Sequence, residues 1–245
     1  MAAGLFITGT DTGVGKTTFC TLLLRALRSQ GVDAVGIKPF CCGDRSDAAQ
    51  LQEASGGGVD MSEVNPVWLR VPAAPYTACL IENRSLDVAI AIETIERLAA
   101  KHALIIIEGI GGWRVPLTQQ LCMSQFATSL GFPVLVVAAN KLGALNHTQL
   151  TVDSIAASKA VCLGVVLSEP EQPEENPAHL TNRGVLEELL AVPVLGEIGH
   201  GATALVPGMA ERILALLCEG HFPGALPGLA WGRRWRSMQG TVGLP

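Results

Sequence analysis

Residues 8–18 read Thr8-Gly9-Thr10-Asp11-Thr12-Gly13-Val14-Gly15-Lys16-Thr17-Thr18 and follow the apolar Leu5, Phe6 and Ile7 directly. A glycine-rich turn between a buried strand and a helix exposes consecutive backbone N–H groups beside a helix N-terminus, which together form a concave anion site. Gly13, Val14, Gly15 and Thr18 supply that backbone. Lys16 is placed to reach outer phosphates, and the Thr17 hydroxyl can join the shell of a Mg²⁺ ion. The run departs from G-x-x-x-x-G-K-[ST] at one point: Gly9 lies one residue too early, while Gly13-x-Gly15-Lys16-Thr17 is intact. The chemistry indicated is the gripping of a nucleoside triphosphate.

Further chemistry-bearing residues recur just after apolar runs. Lys38 follows Ala34–Ile37 and opens Lys38-Pro39-Phe40-Cys41-Cys42-Gly43. A lysine at such a strand end, facing bound phosphates, would stabilise charge during phosphoryl transfer. The run Leu104–Ile107 ends in Glu108-Gly109-Ile110-Gly111-Gly112. A carboxylate on a strand of Leu and Ile is costly to bury unpaired, so beside a phosphate loop it reads as a metal ligand, with the glycines admitting ligand to backbone N–H groups. Asp47 offers a second carboxylate, and Thr17, Asp47 and Glu108 make a hard-oxygen set suited to Mg²⁺. The segment Asn140–His147 follows another apolar run and opens a helix whose free N–H groups favour an anion such as a substrate carboxylate. His147 at that helix start is structural rather than a base. Ser168 and Glu169 follow a further run and are expected to edge the pocket for the nucleotide base.

These residues need a scaffold that collects strand ends, and an open parallel sheet does so because ligands bind at the carboxyl ends of its strands. Continuous apolar runs predict buried parallel strands over Leu5–Thr8, Ala34–Ile37, Ala103–Ile107, Val134–Ala138, Leu163–Leu167 and Val192–Leu195. Helical periodicity predicts helices over 16–29, 86–101, 147–157, 182–190 and 209–217. Gly31 closes the first of these. Between Gly43 and Ala78, one short helix is expected at Asp47–Glu53 with Ser46 as its N-cap, followed by irregular chain. Glu169–Pro177, with three prolines and four glutamates, reads as an exposed acidic connection. The expected class is thus α/β, a mostly parallel sheet with helices on both faces as in P-loop NTPases. Residues 1–219 are expected to form one domain, and 220–245 a Pro- and Gly-rich flexible tail.

Composition bounds the rest. The 245 residues are 49% hydrophobic and 16% charged, which suits one α/β domain with a large core. A net charge of −5 argues against nucleic acid as the main partner. The seven cysteines contain no C-x-x-C pair, which argues against zinc and fits reduced thiols in a cytoplasmic enzyme. A short apolar N-terminus that feeds the loop is not a signal peptide, and no stretch is long enough for a membrane span.

Taken together, TGTDTGVGKTT (8–18), GIKPF (36–40), SDA (46–48), IEGIGGWRVPL (107–117), NKLGALNHTQLT (140–151) and LGEI (195–198) resemble the dethiobiotin synthase family closely. The resemblance implies a P-loop enzyme that closes the ureido ring of dethiobiotin from 7,8-diaminopelargonic acid and CO₂, using ATP and Mg²⁺. It implies a carbamate, then a carbamic–phosphoric anhydride, then attack by the second amine. By resemblance, Lys16 holds the β- and γ-phosphates, while Lys38 and Thr12 hold the carbamate and the transferring phosphoryl group. Thr17, Asp47 and Glu108 ligate Mg²⁺, and Gly109, Ile110 and Gly111 border the ligands, with Gly111 beside the diamine. Leu142, Gly143 and Asn146 bind the diamine's tail carboxylate across a homodimer interface. The base pocket falls at Ser168, Glu169, Gly199, His200 and Gly201.

Three positions depart from the family pattern. Cys42 stands where a serine approaches the substrate, and a thiol is the poorer hydrogen-bond partner. Ser168 replaces an asparagine that reads adenine, and Gly199-His200-Gly201 replaces a Pro-rich turn. Both of the latter touch the base pocket, so CTP or another nucleoside triphosphate is an alternative to ATP. Amidating ligases of the cobyrinate-diamide type share the loop but need a glutaminase domain for which the chain has no room. Switch ATPases of the partition and cell-division class carry a signature lysine where this chain has Asp11. A dethiobiotin-synthase-like protein with altered nucleotide or substrate remains the other alternative.

Overall fold

The computed structural model describes residues 3–172 and 176–219. In chain order its elements are β1 (Ala3–Gly9), α1 (Lys16–Ser29), β2 (Ala34–Ile37), β3 (Phe40–Cys42), α2 (Ser46–Ala54), α3 (Met61–Val64), β4 (Val67–Leu69), α4 (Pro75–Glu82), α5 (Val88–Ala99), β5 (Leu104–Gly112), α6 (Met123–Leu130), β6 (Val134–Ala139), α7 (Ala144–Ala157), β7 (Cys162–Ser168), α8 (Pro177–Leu189), β8 (Val194–Ile198) and α9 (Met209–Glu219). Six strands pair in the order β2-β5-β1-β6-β7-β8, and every pairing is parallel. All six residues of β6 are buried, as are all of β1 after Ala3. Successive strand residues point to opposite faces, so unbroken burial means that both faces are covered.

The order of the strands positions the site. From β1 the chain builds outward to β2, returns through β5, and then crosses to build β6, β7 and β8 on the other side. Crevices at the carboxyl ends form where the direction of building reverses, here around β1. Register places Ile7 of β1 beside Glu108 of β5 and Leu135 of β6, so Glu108 emerges next to the start of the phosphate loop. Beneath it, Phe6 packs edge-on against Trp113 and Phe126, and Phe126 against Phe40 with centroids 5.1 Å apart.

Every predicted strand and helix is present; α1 and β2 keep the expected ends and the others shift. β5 runs on to Gly112, so Glu108 lies within the strand rather than after it. α7 starts at Ala144, three residues before the predicted His147, and α8 at Pro177, where the Asn176 side chain accepts from the His179 N–H and caps it. Ser46 is not the N-cap of α2: it is the first helical residue, and its N–H and hydroxyl both donate to Asp44 Oδ1 (2.8 and 2.5 Å). The stretch 43–78 is not irregular after its first helix, since it holds α3, β4 and the start of α4. β3 and β4 pair in parallel as a second, two-stranded sheet. α6 had no obvious signal because its N-cap is Cys122, whose N–H donates to Gln125 Oε1 (2.9 Å) in place of a serine-led box. The tail expected over 220–245 lies outside the described residues. Among the described residues no helix is long and apolar enough to cross a membrane.

Candidate active site

The loop between β1 and α1 ends on Gly15, whose φ of 86° is left-handed and lets the helix begin with its N–H groups facing the loop's hollow. A Cβ there would also fall 2.6 Å from Ser168 Oγ, which donates to the Val14 carbonyl (2.5 Å) from below. Lys16 Nζ donates to the Asp11 carbonyl (2.9 Å) and so lies folded across the loop. Gly9 has its explanation here. A Cβ on it would come within 2.7 Å of Val14 Cγ2, 2.9 Å of the Asp11 carbonyl and 3.0 Å of Lys16 Nζ, so the early glycine makes room for the loop to fold back over it.

Lys38 enters from the end of β2 and is almost wholly buried. Its backbone is held from both sides: its N–H donates to the Val64 carbonyl (2.8 Å), and its carbonyl accepts from Asn65 Nδ2 (2.8 Å). Its ammonium donates to Asp47 Oδ2 (2.7 Å) and to Glu108 Oε1. The same Glu108 oxygen accepts from the Thr17 hydroxyl (2.8 Å), while Oε2 is buried without a partner. A buried carboxylate oxygen lacking a donor is costly, and a cation or a bound ligand's donor would satisfy it. Among the described residues no group of three or more His, Cys, Asp or Glu is set to hold a metal. A divalent cation here would therefore take Thr17, Asp47 and Glu108 and complete its shell with phosphate and water oxygens, as Mg²⁺ does.

Burial and then the charge of Lys38 lower Lys16 from 10.5 to about 8. Burial would lower Lys38 too, but Glu108 and Asp47 outweigh it and hold its ammonium above the ordinary range. Burial acts to raise Asp47, and Lys38 reverses this and keeps its carboxyl below the usual value. The result is one cation locked between carboxylates and a second whose charge is uncomfortable until an anion arrives. Both open onto a cavity of about 710 Å³ whose walls include Thr12, Cys42, Pro72, Val115 and Pro170.

The comparisons with known proteins bear on this geometry. Residues 3–203 match the family model described as an AAA domain. The ATP-dependent dethiobiotin synthetase BioD of Akkermansia muciniphila is 42% identical over 195 residues, covering 80% of this chain and 91% of that protein. The proteins of the same name from Anaeromyxobacter dehalogenans and Xanthomonas campestris pv. campestris are 41% and 34% identical, covering 86% and 85% of this chain and 98% and 96% of theirs. The chain belongs to the dethiobiotin synthetase family. It is therefore a member of a family of ligases. Solved structures share the fold at lower identity. A plasmid partition protein from Borrelia burgdorferi is 15% identical with a TM-score of 0.54, covering 89% of this chain and 98% of that one. The septum site-determining protein MinD from Pyrococcus horikoshii, complexed with Mg-ADP, is 17% identical with a TM-score of 0.53, covering 98% of each chain.

Within this synthetase fold, the cavity gathers Thr12, Gly13, Gly15, Lys16, Thr17, Thr18, Lys38, Cys42, Asp47, Glu108, Ile110 and Gly111, all of them singled out from the sequence. Val14 is buried under the loop, and Gly109 packs closely against Phe6, whose ring a Cβ would meet at 3.1 Å. Cys42, at the end of β3, is half-buried, and burial pushes its thiol up to about 11. Ser168 is the last residue of β7, 3% exposed, with its hydroxyl donating to the Val14 carbonyl. Glu169 is not part of a loose acidic connection, because its Oε1 accepts from His179 Nε2 (2.6 Å) and its Oε2 faces the His200 N–H (3.4 Å). Gly199, His200 and Gly201 follow β8 beside it. Leu142, Gly143 and Asn146 lie apart from the cavity and exposed, Leu142 at 82%. His147 is exposed on α7 and meets no cavity group.

Sequence reasoning missed Asn65 and Arg45. Arg45 Nε donates to Asn65 Oδ1 (2.9 Å), which orients the amide that fixes Lys38. Asparagine and arginine in an aperiodic stretch carry no local signal of this kind. It also missed the wall formed by Pro72, Ala73, Ala74 and Pro75 before α4.

Proposed function

We propose that the chain makes dethiobiotin from 7,8-diaminopelargonic acid and CO₂, consuming a nucleoside triphosphate, ATP in the first instance. The observation that carries this is Lys38, buried between Glu108 and Asp47 in the same cavity as the phosphate loop. Phosphoryl transfer needs positioning and charge neutralisation more than a strong base, and this site provides lysines and carboxylates but no free base.

One amine of the diamine adds to CO₂ and loses a proton, giving a carbamate. The carbamate oxygen attacks the γ-phosphorus and ADP leaves, giving a carbamic–phosphoric anhydride. The second amine then attacks the carbonyl carbon, closing the ring, and phosphate leaves. Lys16 and the N–H groups of 13–18 hold the β- and γ-phosphates. Lys38 and Thr12 hold the carbamate and the transferring group, and Gly111 with Ile110 borders the diamine on the side of Cys42. Thr17, Asp47 and Glu108 are the residues that would hold Mg²⁺, which supplies charge against that gathering on the phosphoryl oxygens. The exposed Leu142, Gly143 and Asn146 suit a homodimer in which each copy's α7 N-terminus binds the tail carboxylate in the other's cavity. Free thiols suit the cytoplasm.

Phosphate release tests this with diaminopelargonate and bicarbonate, run in parallel with ATP, CTP and GTP. Release that requires both the diamine and bicarbonate is expected. Hydrolysis indifferent to the diamine, or none with any nucleotide, would sink the proposal. A second reading, altered nucleotide use, is favoured by Ser168, whose hydroxyl is sealed beneath the loop and unavailable to a base.

A further inference from the structure

Lys38 stands one residue beyond the end of β2 and is followed by Pro39, which has no N–H to offer. The ladder of the main sheet has ended there, so the backbone of the lysine is held by other parts of the chain. We propose that Asn65 and Arg45 are positioning residues that fix where the Lys38 ammonium stands, and that they govern the rate of phosphoryl transfer rather than nucleotide affinity. This rests on the proposed function, which gives Lys38 the transferring group.

Asn65 lies between α3 and β4 and is 2% exposed. Its Nδ2 donates to the carbonyls of Lys38 (2.8 Å) and Val67 (3.0 Å), which commits both amide hydrogens. Its Oδ1 accepts from Arg45 Nε (2.9 Å), a group that can only donate. That contact decides which way the amide faces. Turned over, it would set donor against donor at Arg45 and an oxygen against two carbonyls. The preceding residue, Val64, takes the Lys38 N–H (2.8 Å), so residues 64 and 65 grip the lysine backbone from both sides.

Arg45 reaches a second part of the site. It immediately precedes α2, whose first turn carries Asp47, and its carbonyl accepts from the Ala49 N–H (2.9 Å). Its Nη2 donates to the carbonyls of Met61 and Asn65 (both 3.1 Å). The guanidinium lies over the Trp68 ring, 5.5 Å from its centroid, and Trp68 Nε1 donates to the Gly43 carbonyl (2.7 Å). One side chain therefore ties the backbone of Lys38 to the helix that carries Asp47. Glu108 needs no such tie, because it lies within β5. The ammonium bonds to both carboxylates, so its place depends on how α2 and the start of the 38–43 segment sit against that strand. Neither Arg45 nor Asn65 lines the cavity, and neither bonds to the phosphate loop. Their effect passes through Lys38 and Asp47 alone.

The test is steady-state phosphate release by the full chain with diaminopelargonate, bicarbonate and Mg-ATP. Arg45→Met keeps the stem over Trp68 and removes every donor. It is expected to lower kcat about tenfold to a hundredfold, the scale of a misplacement of about 1 Å, with the KM values for ATP and diamine within about threefold. Asn65→Asp, of equal size but with no donor for the Lys38 carbonyl, should lose at least as much. Arg45→Lys, which restores one donor, should recover most of the kcat lost in Arg45→Met. ATP affinity by calorimetry should be the same in all of them. A merely structural role gives a different pattern, a lower Tm with kcat per folded molecule unchanged. That pattern would overturn the proposal, and so would a loss of ATP affinity that matches the loss of kcat. If Asn65→Asp does not fold, the two Arg45 variants decide alone. An unmodified chain without diamine-dependent release would remove the proposed function and this inference with it, whereas unchanged kcat in the variants removes only the inference.

Discussion

Raising the pH from 7 to 9 should weaken nucleotide binding about tenfold and make binding take up a proton, through Lys16. Burial, with Lys38 adding to it, brings Lys16 from 10.5 to about 8 in the ligand-free protein. Its ammonium is therefore about nine-tenths formed at pH 7 and about one-tenth formed at pH 9. Bound phosphates reverse the balance, since their charge restores the ammonium to its ordinary range or above. The sign follows: the protonated lysine binds, so affinity falls as pH climbs through the free-state value. Between pH 7 and 9 the loss is about tenfold, or about 1.4 kcal/mol, and uptake approaches one proton per nucleotide at the upper end. Phosphate ionisation, with its second step near pH 6, is about complete at the upper end and contributes little there. Isothermal titration calorimetry at pH 9, in two buffers of unlike ionisation enthalpy, reads the proton directly. Lys16→Arg, which does not titrate in this range, should abolish the uptake. Affinity that is flat from pH 7 to 9 with no buffer-dependent heat would refute the electrostatic account of the loop.

Glu108→Ala should cost about 3–5 kcal/mol in urea unfolding, because it leaves the Lys38 charge buried with only the partly exposed Asp47 as counterion. Lys38→Ala should remove diamine-dependent phosphate release while leaving nucleotide affinity, measured by calorimetry, within a few-fold; loss of binding would contradict its assignment to the transferring group. Gly15→Ala should abolish nucleotide binding in the same assay, and adding Ser168→Ala would relieve the 2.6 Å contact but not the 86° φ, which alone costs about 1–2 kcal/mol. Chelation by EDTA should stop phosphate release, and added Mg²⁺ should restore it; turnover unaffected by EDTA would remove Thr17, Asp47 and Glu108 from a metal role.

The parts of the molecule legible in the sequence were those with a local cause. Six apolar runs predicted the six strands of the main sheet, because strands buried on both faces leave no polar interruption. The loop, Lys38, Asp47 and Glu108 were legible because each sits where an apolar run meets polar chain. Less was legible over 40–78, where β3 and β4 are three residues each and α3 is four, too short for periodicity to show. The end of β7 was less legible for a different reason. Nothing in the neighbours of Ser168 shows that Val14, far earlier in the chain, uses its hydroxyl. The pairing of Glu169 with His179 was likewise hidden, since it depends on α8 starting five residues before its periodic part.

The lysine–carboxylate cluster is a poor device for stability, and that is the strongest physical sign of its use. Taking Lys38 and Glu108 out of water costs several kcal/mol per ion, and their attraction returns this only with full hydrogen bonding. The bonding here is not full: Glu108 Oε2 has no partner, and Lys16 is pressed toward its neutral form. An apolar pair of similar volume would fill the same space without either defect. Both defects share one remedy, a polyanion with its cation, which gives Lys16 its counterion and Oε2 its donor or metal. A site that is completed only when such a ligand binds spends its interactions on the bound state, which is where phosphoryl transfer requires them.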